Sequence, residues 1–359
     1  MNKKIQLYST CIPVKGVTRS VICDLQMQSI HYIPNSLYEL IEDHFGKTID
    51  DIKEAYQNQY DDIIDEYIEY LNENNCVFFT DHPECFPAMN LQWDYPYKVS
   101  NAIIDWNKNS NYNIFEVLNQ LDMLHCKHIQ FRFYDPIEKE FLLKILDFLN
   151  QKESIINSLE IYIPNTKWIR QEEMENWFKE HLRISLICIH SSFDDEIIKI
   201  TDDKIFIHTK QQIISSSHCG VISMNYFSIN LKTFTESQHY NSCLNRKIAI
   251  DIDGEIKNCP SMTQSFGNIE NNTLKQTLNN SDFTAVWNIP KDKVDTCKTC
   301  EFRYICTDCR AYTEDPKNLN SKPLKCGYNP HTNEWKDWST NPLKKEAIHY
   351  YKLKDFKQT

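Results

Sequence analysis

The sequence predicts an α/β protein in three parts followed by a tail. Strand-like and helical patterns alternate through residues 91–215 at roughly thirty residues per unit, the length a βαβ crossover needs. Short β-branched strands precede amphipathic helices in residues 1–90, and cysteines crowd residues 216–330. Residues 331–359 form the tail, lysine-rich, with no chemistry to assign.

In the first part, KIQLYS, RSVICDL and SIHYI alternate β-branched or aromatic residues with polar ones and read as three strands, QMQ bridging the last two. PNSLYELIEDHFG reads as a helix opened by Pro34 or Asn35, with Leu37, Leu40, Ile41 and Phe45 on one face and Gly46 closing it. A shorter helix starts in TIDDIKEAY with Thr48 as N-cap. DDIIDEYIEYLNENN repeats Ile63, Ile64, Tyr67, Ile68 and Leu71 on one face, and CVFFT returns as a strand.

In the second part SNAIIDW, KHIQFRFY, SLEIYIP, RISLICIH and KIFIHTK are strand-like, with the helical patterns IFEVLNQLDML, EKEFLLKILDFL and QEEMENWFKEHL between the first four. This order implies a parallel sheet with helices packed outside it. Five strands fit an incomplete barrel better than a closed one, and a doubly wound sheet also satisfies the pattern.

Composition removes several function classes. The 359 residues carry a formal charge of -11, which opposes binding to nucleic acid. Only 6 glycines argue against disorder and against a Gly-rich phosphate loop. The start, MNKKIQLYSTCIPVKG, has no apolar secretory core, and no stretch has the length of a membrane span. The expectation is a cytoplasmic protein that binds neither membrane nor nucleic acid.

In a reducing compartment 14 cysteines do not make a disulfide framework, so clustering points to metal or redox chemistry. Cys11, Cys23, Cys76, Cys85, Cys126 and Cys188 are scattered and read as buried structural thiols. The other eight follow residue 218. Asp253-Gly254 marks a hairpin turn between Cys243 and Cys259, with Cys259 across from about Ile248. Cys297, Cys300, Cys306 and Cys309 then form two CxxC pairs, and Cys326 follows in KPLKCGY. Paired thiolates at this spacing hold metal ions or clusters.

The run from Cys243 through Gly254 and Cys259 to Cys297, Cys300, Cys306, Cys309 and Cys326 resembles the SPASM domain. In radical S-adenosylmethionine peptide maturases that domain holds up to two auxiliary 4Fe-4S clusters. The chain departs from the family in its last pair, where Thr307 and Asp308 stand in place of three residues. The resemblance implies that Cys297, Cys300, Cys306 and Cys326 hold one cluster and that Cys243, Cys259 and Cys309 hold part of another. Cys219 is the candidate fourth ligand, with His218 an outside one and a buried, non-ligating Cys219 the plain alternative.

The CxxxCxxC motif of radical enzymes is absent; the loop where it belongs reads WNKNSNYNIF. Residues 91–215 thus resemble a degenerate, partial (β/α) TIM-type barrel of the radical enzyme fold, with no S-adenosylmethionine cleavage expected. The order of elements in residues 1–90 resembles the winged-helix-like domains that recognise leader peptides. With CIPVKG, RSVICDL, IPNSLYEL, NCPSM, SFGNI and CEFRYIC, the whole chain resembles the SPASM-domain maturases of grasp-with-spasm systems, which accompany an ATP-grasp ligase and a precursor peptide. The implied function is maturation of a ribosomally synthesised peptide. Two other readings stand beside it: a redox enzyme using auxiliary clusters, and a structural scaffold whose cysteines hold zinc. No catalytic residue is assigned. His82, His125 and His128 read as surface or packing residues, and Asp61-Asp62 and Asp194-Asp195 as capping or solvated acids.

Overall fold

The computed structural model describes residues 3–353. Strand β1 (Lys4–Leu7) does not join the next strands but pairs antiparallel with β5 (Val77–Thr80), so KIQLYS and CVFFT form their own two-stranded sheet. The three-stranded sheet beside it is β2 (Cys11–Val14), β3 (Ser20–Asp24) and β4 (Ser29–Ile33) in that order. The sequence pattern missed β2 because Pro13 interrupts it. Proline is tolerated there since β2 lies at the sheet's edge.

Helices α1 (Asn35–His44), α2 (Ile49–Ala55) and α3 (Asp61–Glu73) follow. Thr48 starts α2 with a capping box: its hydroxyl accepts from Asp51 N at 3.1 Å, and its own N–H donates to the Asp51 carboxylate at 3.2 Å. The buried face of α3 carries Ile64, Ile68 and Leu71, whereas Ile63 is 44% exposed, one step off the face predicted for it. These helices pack on one face of the small sheet through Cys11, Ile22 and Ile33. The opposite face, with Val14, Val21 and Cys23, packs on Phe302, Ile305, Cys306 and Cys326. Every residue of β3 is therefore buried.

The large sheet has eight strands. β6 (Asn101–Trp106), β7 (His128–Phe133), β8 (Ser158–Pro164) and β9 (Ile184–His190) run parallel, with α4 (Ile114–Met123), α5 (Lys139–Gln151) and α6 (Gln171–Glu180) as crossovers. β10 (Glu196–Thr201), a strand the sequence reading missed, makes an antiparallel hairpin with β11 (Lys204–His208), and β11 adds in parallel to β9. α7 (Leu231–Ser237) precedes β12 (Lys247–Ile250), which extends the other side of the sheet in parallel with β6; β13 (Ile256–Lys257) closes that edge.

Strand order follows chain order from β6 to β9, and α4, α5 and α6 all pack on one face, where Ile104, Phe131, Ile161 and Ile189 lie. A doubly wound sheet, with helices on both faces, is not what forms. The other face carries Asp105, Arg132 and Tyr162 in one register row, and it floors the site described next.

The hairpin at Asp253-Gly254 forms, with Gly254 at φ +78°, but Ala249 faces Lys257, which places Cys259 nearer Lys247 than Ile248. Cys11, Cys23, Cys76, Cys126 and Cys188 are buried, while Cys85 is exposed because its one-turn helix at Pro83–Cys85 lies in an open connection. His82 is exposed beside Glu84, and His125 stacks on Tyr97. Asp61 and Asp62 occupy the first turn of α3, and Asp195 accepts from Lys210 N. In the tail a helix spans Lys345–Tyr350, and residues 354–359 lie outside the described residues.

Candidate metal centre

The eight clustered cysteines fall into two fours. Cys297, Cys300, Cys306 and Cys326, none of them exposed, line a small pocket of about 30 Å³ with Ile222, Phe227, Phe302, Tyr328 and Trp335. Cys219, Cys243, Cys259 and Cys309 line a second pocket, a cavity of about 710 Å³ whose floor includes Gln130, Arg132 and Tyr162. His218 lies on the wall of that cavity as well.

Local structure explains the division. Thr296 takes a positive φ of 66°, and the short helix Cys297–Thr299 follows, so Cys297 and Cys300 face the same pocket. Cys306 N bonds Phe302 O at 3.0 Å, which closes the turn carrying the third sulfur. Three residues later Cys309 faces the other way. Between them Asp308 is fully buried, paired with Arg310 at 2.6 Å, and it accepts from Asn241 Nδ2 at 2.8 Å. The same Asn241 accepts from Cys243 N at 3.0 Å, which draws Cys243 back toward Cys309.

Cys219 joins from a separate loop. Lys325 Nζ donates to Cys219 O at 2.8 Å and also to Ser217 O, and Ile222 N bonds Lys325 O at 3.1 Å. Gly220 has φ +87°, and a Cβ there would stand 2.8 Å from Cys309 Sγ; only glycine permits this approach. Cys219 is exposed while Cys259 and Cys309 are buried, which overturns the alternative of a buried Cys219.

Burial pushes the thiols of Cys243, Cys297, Cys300, Cys306 and Cys309 upward, and that of Cys259 to about 12. Cations oppose this. Lys291, 3% exposed, donates to Cys306 O at 3.1 Å and Thr307 O at 2.8 Å; burial works against its charge, but Cys306, Asp308 and Cys297 hold it above the ordinary lysine value. Lys247 Nζ lies 3.6 Å from Cys243 Sγ. Burial brings Lys325 down to about 8. Buried ammonium groups beside four thiols fit a bound group with net negative charge.

Among the described residues no three His, Cys, Asp or Glu side chains converge tightly enough to hold one metal ion. The donor sets instead surround two pockets, one of about 710 Å³ and one of about 30 Å³. The sequence pattern gave no role to Arg132, Tyr162, Lys247, Lys291 or Lys325. A signal was available for two of them: HIQFRF and SLEIYIP alternate apolar and polar residues, whereas a parallel strand covered on both faces by apolar layers reads as a continuous apolar run.

The loop WNKNSNYNIF makes β6 end in a closed polar turn. Tyr112 donates to Asp105 O, Ser110 Oγ donates to Ile252 O at 2.7 Å, and Asp105 takes a bidentate pair from Arg132 at 2.6 and 2.8 Å.

Residues 242–301 match the family model of the SPASM domain, an iron-sulfur cluster-binding domain. The chain thus carries a SPASM domain, and it contains Cys243, Cys259, Cys297 and Cys300. No curated protein matches the chain in sequence. Among solved structures it is similar to Streptococcus suis SuiB bound to S-adenosylmethionine, with 10% identity over 90% of this chain and 97% of that one and a TM-score of 0.28. The same protein bound to precursor peptide SuiA gives 10% identity, 89% and 98% coverage and a TM-score of 0.29. Scores this low mark a loose superposition. Among the described residues no helix is long and apolar enough to cross a membrane.

Proposed function

We propose that this SPASM-domain chain is a maturation protein for a ribosomally synthesised peptide, holding a 4Fe-4S cluster at each four-cysteine site and working in the cytoplasm beside an ATP-grasp ligase. The observation that carries the reading is the division of eight cysteines into two fours, one of which opens on a cavity floored by the polar face of the large sheet. When bound, the clusters supply one-electron transfer and rigid cross-links between loops.

The chain's own residues supply capture and positioning. In residues 1–90, β4 is an edge strand, with Tyr32 39% exposed and its carbonyl accepting from Tyr70 on α3 at 3.2 Å. An edge strand beside a helix suits a leader peptide that adds as a further strand, in the manner of a winged-helix-like recognition domain. The cavity, lined by amide, hydroxyl and tyrosine side chains, suits the segment to be modified. No S-adenosylmethionine cleavage is proposed, because the sequence has no CxxxCxxC motif.

Binding of the precursor peptide encoded beside the chain, measured with the full, anaerobically purified protein, tests the reading. Binding that disappears when Tyr32→Pro removes an edge-facing N–H of β4, with thermal unfolding unchanged, supports it; no detectable binding by the intact chain sinks it.

A further inference from the structure

We infer that Arg132 and Tyr162 form a two-donor seat for a neutral carbonyl oxygen, the backbone amide of a peptide, on the cavity floor. The inference rests on the reading that the cavity receives peptide.

Arg132 and Tyr162 are direct register partners on the parallel strands β7 and β8, so both side chains leave the same face of the sheet a strand spacing of about 4.8 Å apart. Their neighbours Phe131, Phe133, Ile161 and Ile163 point the other way, into the helix-covered core. Both Arg132 and Tyr162 line the cavity. Arg132 is only 6% exposed, and its Nε and Nη2 are committed to Asp105 at 2.6 and 2.8 Å. No described group accepts from its Nη1, and none bonds the Tyr162 hydroxyl. A guanidinium edge and a phenol, with no protein acceptor among the described residues and both facing the cavity, leave two hydrogen bonds that a ligand can take from water. Burial pushes the Tyr162 phenol upward, so it stays a donor.

Charge selects the class of acceptor. Asp105 already neutralises Arg132, and Glu160 is the first of the acidic groups that act on Tyr162, ahead of the thiols of Cys188 and Cys219. A carboxylate seated here would meet Asp105 and the anionic site; a neutral carbonyl accepts both hydrogen bonds without that repulsion. An amide so held places its segment of chain against the open four-cysteine site.

The test uses the full, anaerobically loaded chain and two probes, N-acetylalanine N-methylamide and N-acetylalanine, titrated by NMR. Because the Tyr162 hydroxyl has no protein partner, Tyr162→Phe leaves fold and iron content unchanged. The amide probe binds the unaltered chain, more tightly than the carboxylate-ended probe, and Tyr162→Phe weakens it roughly fivefold to tenfold. Arg132→Lys, which keeps a cation beside Asp105 but removes the planar second edge, weakens it as well. Equal binding to unaltered and Tyr162→Phe chains, preference for the carboxylate, or no amide binding overturns the seat. If precursor peptide binds while the amide probe fails these tests, the seat alone falls; if precursor does not bind, the maturation reading falls.

Discussion

The two four-cysteine pockets differ in how the chain builds them. The enclosed one takes Cys297, Cys300 and Cys306 from a single turn-rich segment, adds Cys326, and is walled by aromatic residues that also bury one face of the small N-terminal sheet. The open one draws Cys219, Cys243, Cys259 and Cys309 from four separate segments and faces the cavity. Local ligands close short loops at low entropic cost, so the enclosed pocket acts as a foundation. The open pocket ties the large sheet to the cysteine-rich region and lines the cavity. The two pockets abut, because Ile222 lines both and Cys306 and Cys309 lie three residues apart.

The sharpest way to break this contrast is a cysteine from each side. Cys306→Ala removes a proposed cluster ligand and a packing partner of β3, so about half the iron should be lost, the N-terminal sheet should loosen and precursor binding should fall at least about tenfold. Cys219→Ala loses iron from the open site while the fold and precursor capture persist. Iron content, thermal unfolding and peptide binding read all three. Identical losses in the two variants would erase the distinction.

Lys291→Met comes next. It strips two buried carbonyls, Cys306 O and Thr307 O, of their donor and removes the cation beside the enclosed site. Unfolding measurements should show a cost of about 2–3 kcal/mol, and the midpoint potential of one cluster should fall while the other stays. An unchanged pair of potentials would remove Lys291 from the electrostatics of that site.

Gly220→Ala acts on the open side alone. The positive φ and the contact with Cys309 Sγ make it cost about 1–2 kcal/mol, with iron lost from the open site and the enclosed one intact. The smallest effect belongs to the joint between the N-terminal sheet and the enclosed site. Arg19 stacks on Tyr32 of β4 at 4.2 Å and pairs at 2.8 Å with Glu301, the residue after Cys300. Arg19→Ala should cost about 1 kcal/mol, since Arg19 is partly solvated, and should raise hydrogen exchange around residues 15–19 and 299–303 without touching the cavity.

Much of the architecture was legible in the sequence, because strand and helix periodicities are local. Five parallel strands and three crossover helices of the large sheet came from alternation and spacing, and the capping box of Thr48 from its own three-residue reach. Pairing was not local, so the pairing of KIQLYS with CVFFT was not legible and CIPV was lost to Pro13. Lys247–Ile250 was read only as a hairpin arm, although it also joins β6 about 146 residues earlier. In the site, CxxC spacing marked the candidate cysteines but could not say that the chain reverses at Asp308. That reversal depends on Asn241 and Arg310, which are distant in sequence or uninformative by type. The buried lysines escaped notice because lysine is ordinarily a surface residue.

The most direct test of two cluster sites is the iron, sulfide and zinc content of the anaerobically purified chain, taken with its visible absorption. The account predicts about eight irons and about eight sulfides per chain with a broad thiolate-to-iron band, falling to about half in Cys219→Ala. A colourless protein that carries zinc, and that takes up no iron on anaerobic reconstitution, would contradict it.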